Sequence, residues 1–166
     1  AYRPGGQVLA DLDGDGDLDV AMAHQGNFID PKMSVQLNVG NGAFGPAAYY
    51  DTTGETMDVL AADLDGDGDL DLAFCESDHG ISGQFVLVFL NHGDGTFAPE
   101  QRYFTGIGPT GIAALDADKD GDLDLVTANW RWNEDDVSLL YHDGNAGFAP
   151  RVDFPVLAGK QPYKIA

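Results

Sequence analysis

The sequence predicts an all-β fold made of repeated four-stranded blades, and three observations lead there. A nine-residue acidic stretch occurs three times, at residues 11–19, 63–71 and 116–124, starting 52 and then 53 residues apart. A Gly-rich turn keeps the same beat, as GNGAFGP, GDGTFAP and GNAGFAP. Between these markers run short segments rich in Val, Leu and aromatics, with no sustained helical period. Self-similarity at about 50 residues, with four strand-like runs per unit, is the signature of a β-propeller blade.

Within a unit, VLADL leads into the first acidic stretch. LDVAMA, LDLAFC and LDLVTA leave the three stretches. SVQLNV, QFVLVFLN and DVSLLYH form the third strand. The fourth is expected to begin at the Gly-rich turn with Phe44, Phe97 or Phe148, followed by AAYYD, EQRYF and RVDFP. The middle second strand is apolar on both faces, with Leu70, Leu72 and Phe74 on one and Ala73 and Cys75 on the other, which suits a sheet covered on both sides. Cys75 aligns with Ala23 and Ala128, so it reads as a slot for small side chains rather than a reactive thiol.

The repeats fall at about residues 1–53, 54–106 and 107–158 of one domain, with 159–166 opening a fourth copy. The chain begins at Ala1 with neither an initiator Met nor a signal-like segment, as a processed form or a fragment would. Rings of blades typically close with about four to eight. Three cannot close and leave two open sheet edges. The expected partners are therefore other blades, from a longer chain or from a second copy in a dimer of three-blade halves.

Composition excludes several classes. The 166 residues carry 28 acidic and 8 basic side chains, for a formal charge of −20. That gives no footprint for nucleic acid and repels an anionic membrane surface. Fifteen of the acids lie in the three acidic stretches, so the acidity is local. A hydrophobic content of 43% argues against disorder. No apolar run approaches the length of a membrane span. One cysteine allows no intrachain disulfide.

The acidic stretches share the pattern D-x-D-x-D-G-x-x-D. Their acids are Asp11, Asp13, Asp15, Asp17 and Asp19; Asp63, Asp65, Asp67, Asp69 and Asp71; and Asp116, Asp118, Asp120, Asp122 and Asp124. Calcium takes about six to eight oxygens at about 2.3–2.6 Å. Positions 1, 3 and 5 would turn carboxylates inward, and Gly at position 6 permits the sharp wrap. Position 7 would offer its backbone carbonyl and leave its carboxylate to solvent, and position 9 would close the cage. The all-carboxylate set selects calcium over zinc or copper, and the ligand-rich loop disfavours magnesium. Three calcium sites are expected, one per repeat. An EF-hand is excluded, because position 12 is Met22, Phe74 or Thr127 inside a strand-like run and no flanking helix is present. Lys119 stands where the other loops have Gly14 and Gly66, lowering the loop charge from −5 to −4, so the third site is expected to bind more weakly.

The combination ADLDGDGDLDLAF…VLVFLNHGDGTFAP resembles the FG-GAP/VCBS repeat family, which includes the N-terminal propeller of integrin α chains and many bacterial extracellular proteins. The resemblance covers essentially the whole chain. It implies four-stranded propeller blades with calcium between the first and second strands, held by the five Asp positions of each loop. It implies an extracellular or cell-surface setting. It does not imply one activity, since members serve as adhesion heads, lectins and modules beside enzymes.

The family's topology puts residues 24–34, 76–83 and 129–136 on the face opposite the acidic loops. These segments differ from copy to copy, while the acidic loops barely do. NWRWNEDD is the most suggestive: Trp130 and Trp132 flank Arg131, a set that suits sugar rings or a protein partner. Packing of either Trp between blades is the competing reading. Asp78 and His79 would make an acid–base pair in a lyase or hydrolase, although a surface turn is the reading favoured. His92 and His142 lie with Asn38 and Asn91 at the hairpin turn and read as structural. The expected function is a calcium-stabilised extracellular binding module for glycan or protein, not itself an enzyme. The alternative is a fragment or accessory domain of a polysaccharide-degrading enzyme.

Overall fold

The computed structural model describes residues 3–25, 32–77, 84–130, 136–144 and 147–156. Within these residues the chain forms three four-stranded antiparallel sheets. The first holds β1 (Arg3–Ala10), β2 (Asp19–Gln25), β3 (Lys32–Gln36) and β4 (Ala48–Asp51). The second holds β5 (Glu55–Ala62), β6 (Asp71–Ser77), β7 (Phe85–Phe89) and β8 (Gln101–Phe104). The third holds β9 (Pro109–Leu115), β10 (Asp124–Asn129), β11 (Asp136–Leu140) and β12 (Val152–Pro155). In each sheet the spatial order follows the chain, as in a propeller blade, and the sheets do not close on one another.

The two faces of β6 explain how the blades stack. All seven of its residues are buried. Leu72 and Phe74 pack with Leu12, Met33 and Val35 of the first blade, whereas Ala73 and Cys75 pack with Ile112, Leu125 and Leu140 of the third. The middle blade is therefore covered on both sides, as its sequence requires. Ala23, Cys75 and Ala128 are each fully buried, which accounts for the small side chain at this place in every copy.

The innermost strands approach closely. β1 and β2 pack on β5, and β5 and β6 pack on β9. A Cβ on Gly5 would stand 2.8 Å from the Met57 carbonyl oxygen, so only glycine fits there. β1 and β5 each carry a bulge, between Pro4 and Gln7 and between Thr56 and Val59. The β5 bulge turns Asp58 toward the next blade, where its carboxylate accepts the Ile112 N–H at 3.3 Å.

The fourth strands start later than the sequence reading placed them. Phe44, Phe97 and Phe148 form isolated bridges with Asn38, Asn91 and His142, and the strand begins four residues further on. Pro46, Pro99 and Pro150 lie in the gap, and proline supplies no N–H to the ladder. The phenylalanines act as plugs instead. Phe97 and Phe148 are buried against the preceding blade, while Phe44, with no described blade before it, is 46% exposed.

Candidate metal centre

Each acidic loop bridges the first and second strands of its blade, and Asp carboxylates organise it. The position-5 N–H donates to the position-3 carboxylate, as Asp15 to Asp13, Asp67 to Asp65 and Asp120 to Asp118, each at 3.2 Å. The position-7 N–H donates to position 5 at 2.8, 2.9 and 3.0 Å in the three loops. Gly16 and Gly68 donate to the position-1 carboxylates of Asp11 and Asp63 at 3.0 and 3.1 Å. These glycines have φ of 92° and 98°, a left-handed conformation that makes the wrap possible. The same short spacing that crowds the carboxylates thus lets them satisfy the loop's own N–H groups.

Three clusters result. Carboxylate oxygens of Asp11, Asp13 and Asp15, of Asp63, Asp65 and Asp71, and of Asp116, Asp118 and Asp124 lie within 4.8 Å of one another in each set, a spacing that one cation can span. Desolvation raises Asp13, Asp65 and Asp118 from the ordinary carboxylate value, opposed by the backbone N–H that each accepts and helped by the neighbouring carboxylates. Burial pushes Asp71 up to about 6, against the opposing pull of its N–H donors. A cation in the loop would reverse these pressures by favouring the ionised forms.

One atom tests the fit directly. Oδ1 of Asp11 is buried and has no hydrogen-bond partner among the described residues. Its counterparts on Asp63 and Asp116 accept N–H groups from Gly66 and Lys119 at 2.8 and 2.7 Å. A buried carboxylate oxygen with no donor is costly, and a cation is the partner its chemistry fits.

The remaining positions separate by role. Position 9 is a clip. Asp19, Asp71 and Asp124 are buried, and each accepts two backbone N–H groups. One comes from position 2 of its own loop, Leu12, Leu64 or Ala117, at 2.7, 2.8 and 2.8 Å. The other comes from the turn after the third strand, Asn38, Asn91 or His142, at 2.7, 2.8 and 2.8 Å. Position 7 lies toward that turn. Asp122 Oδ2 is 3.3 Å from His142 Nδ1, and Asp69 lies against Gly93, where a Cβ would come within 2.5 Å of its carboxylate.

The opposite end of the sheets is built differently in each blade. In the first, His24 Nε2 meets Ser34 Oγ at 2.8 Å and Lys32 pairs with Asp51 at 2.7 Å. In the second, buried Glu76 pairs with Arg102 and accepts the Thr53 hydroxyl at 2.6 Å, while the guanidinium lies 4.4 Å over the Phe85 ring. In the third, Asn129 donates to Asp136 at 2.6 Å and to Ser138 at 2.8 Å, and Ser138 donates to Asp153 at 2.7 Å. Arg102 and Thr53 were missed in the sequence because they sit on the fourth strand and the link after it. Both of those segments return to this end of the blade.

Trp130 is half-buried at this end, with its backbone N–H donating to the Gly108 carbonyl at 2.9 Å. Asp78, His79, Arg131 and Trp132 lie outside the described residues. Among the described residues, no helix is long and apolar enough to cross a membrane.

The family model of the FG-GAP-like repeat matches residues 11–74 and 76–127, well over half of the chain. The chain belongs to the FG-GAP-like repeat family. The first match runs from the first acidic loop into β6 and the second from the end of β6 into β10, so each spans parts of two successive blades. A search of the curated proteins finds no match.

Proposed function

We propose that this FG-GAP-like chain is a calcium-stabilised binding module that works outside the cell and recognises a glycan or a protein. The observation that carries this reading is the contrast between the two ends of its blades. The acidic ends repeat four bonds in every copy, from position 5 to 3, from position 7 to 5, and the two N–H groups on position 9, as a shared structural need would require. The opposite ends carry three different polar sets, the His24–Ser34 pair, the Thr53–Glu76–Arg102 group and the Asn129–Asp136–Ser138 chain. Diversity on a constant scaffold is how recognition surfaces are made.

Calcium would be held by the carboxylates at positions 1, 3 and 5, with position 9 beneath them and the position-7 carbonyl completing the set. The ion supplies positive charge that turns mutual repulsion into attraction. The hard-oxygen donors and the unpartnered Asp11 oxygen support it. Millimolar calcium outside the cell suits loops of this kind. The exposed apolar faces of the first and third blades would take further blades of the same build. The test of ligand class is a glycan array probed with and without chelator. Calcium-dependent binding to a defined set of glycans supports the lectin-like form. Binding that ignores chelator contradicts the calcium-stabilised reading.

A further inference from the structure

We propose that the acidic loop at residues 11–19 is completed by the blade that follows it, through the side chain of Asn91 at that blade's third-strand turn, and that Asn91 is its positioning residue. This rests on the calcium reading above, and it separates the first two sites, whose nine-residue stretches are identical in sequence.

The key residue in the first loop is Leu12, which sits between Asp11 and Asp13. It is fixed in three ways. Its N–H donates to Asp19 at 2.7 Å. Its side chain is 2% exposed, buried with Leu72, Phe74 and Leu87 of the second blade. Its carbonyl accepts an N–H from the Asn91 amide at 2.8 Å, across 79 residues of sequence. Both peptide planes between the first two proposed ligands are thereby held, one from within the loop and one from the neighbouring blade.

Asn91 is suited to this by its full complement of bonds. It is 5% exposed. Its amide nitrogen also donates to the Leu70 carbonyl at 2.9 Å, next to Asp71 in the second loop. Its amide oxygen accepts the Gly93 N–H at 3.1 Å, and its backbone N–H goes to Asp71 at 2.8 Å. One side chain therefore links position 2 of the first loop to position 8 of the second.

The second loop lacks this clamp. Leu64 is buried against the third blade, as Leu12 is against the second. The residue in Asn91's place is His142. Its Nδ1 accepts the Gly144 N–H at 3.1 Å, and its Nε2 is buried with no hydrogen-bond partner among the described residues. An imidazole cannot offer the two amide hydrogens that asparagine does. In the third loop, position 2 is Ala117, which is exposed, and no described blade follows. The loops therefore rank first, second, third in preorganisation, and preorganisation appears as affinity.

Calcium titration followed by amide NMR separates the sites, with Gly16, Gly68 and Gly121 at position 6 as reporters. Asn91→Ala is expected to weaken the site read at Gly16 by about five-fold, the worth of one neutral hydrogen bond, and to leave the site read at Gly121 within about two-fold. His142→Asn is expected to strengthen the site read at Gly68 by a similar factor, a gain that a general packing role would not produce. A folded Asn91→Ala protein with unchanged affinity at Gly16 overturns the proposal. If that variant fails to fold, His142→Asn decides, and no gain at Gly68 overturns it. If calcium moves none of the three glycines, the calcium reading fails. Hydrogen exchange of the Leu12 amide in chelator then decides the clamp: faster exchange in Asn91→Ala upholds it, and an unchanged rate overturns it.

Discussion

The carboxylate of Asp71 accepts the backbone N–H of Asn91 at 2.8 Å, tying the acidic loop to a turn twenty residues further along the chain. Its other oxygen accepts the Leu64 N–H at 2.8 Å. Asp71 therefore holds the blade together whether or not a cation is present. Asp71→Ala would leave both N–H groups without their acceptor. The expected loss is about 3 kcal/mol in chelator, from two bonds to a charged group. Asp67→Ala removes an exposed carboxylate and is expected to cost under about 1 kcal/mol under the same conditions. Urea unfolding of both variants checks this, and equal losses would mean that position 9 acts only through the metal.

Lys119 has φ of +68°, in the region where Gly14 and Gly66 sit at +74° and +78°. A side chain there costs about 1 kcal/mol or more. Lys119→Gly is expected to stabilise the protein by about that amount and to raise the calcium affinity of the third site, since it also restores the full loop charge. Denaturant unfolding with and without calcium measures both. A loss of stability, or a third site that binds less well, would contradict this.

Much of this was legible in the sequence, for identifiable reasons. The period needed only Gly, Asp and Phe at fixed offsets, because each blade repeats one local pattern. The two-sided burial of Leu72, Phe74, Ala73 and Cys75 followed from apolar residues on both faces of one strand. What was not legible depends on partners distant in sequence. The Asn91 amide and the Leu12 carbonyl lie in different blades. The clip made by Asp19, Asp71 and Asp124 binds backbone N–H groups, so the receiving residue can be Asn38, Asn91 or His142 without leaving a pattern. The bulge that aims Asp58 at Ile112 left no signal in a stretch of ordinary strand residues.

Cys75 is fully buried between the second and third blades, and burial raises its thiol well above the ordinary value. It should therefore report separation of those blades. A thiol reagent is expected to leave the native protein unmodified and to label it at a rate set by opening, slower with calcium than with chelator. Rapid labelling of the folded, calcium-loaded protein would show that the interface between these blades is not closed.

Two faces of the molecule carry apolar side chains of the kind buried between its blades. Leu115, Val152 and Phe154 are 43–48% exposed on the third blade, whose outer face matches the one that Ala73, Cys75, Val86 and Val88 bury in the second. Leu9, Leu18 and Phe44 are 46–59% exposed on the first. Sedimentation velocity in calcium is expected to show concentration-dependent association that Phe154→Lys reduces, because a charge cannot be buried there without a partner. A well-folded monomer at all concentrations would contradict the reading of these faces as blade contacts.

The central claim is that the three acidic loops are calcium cages that hold the blades. Calorimetric titration of the chelator-treated protein with calcium, followed by thermal unfolding of the same samples, tests it most directly. Three bound ions per chain are expected, with a melting temperature that rises with free calcium, as linkage requires of a ligand that binds only the folded state. No heat of binding and a melting temperature indifferent to calcium would contradict it.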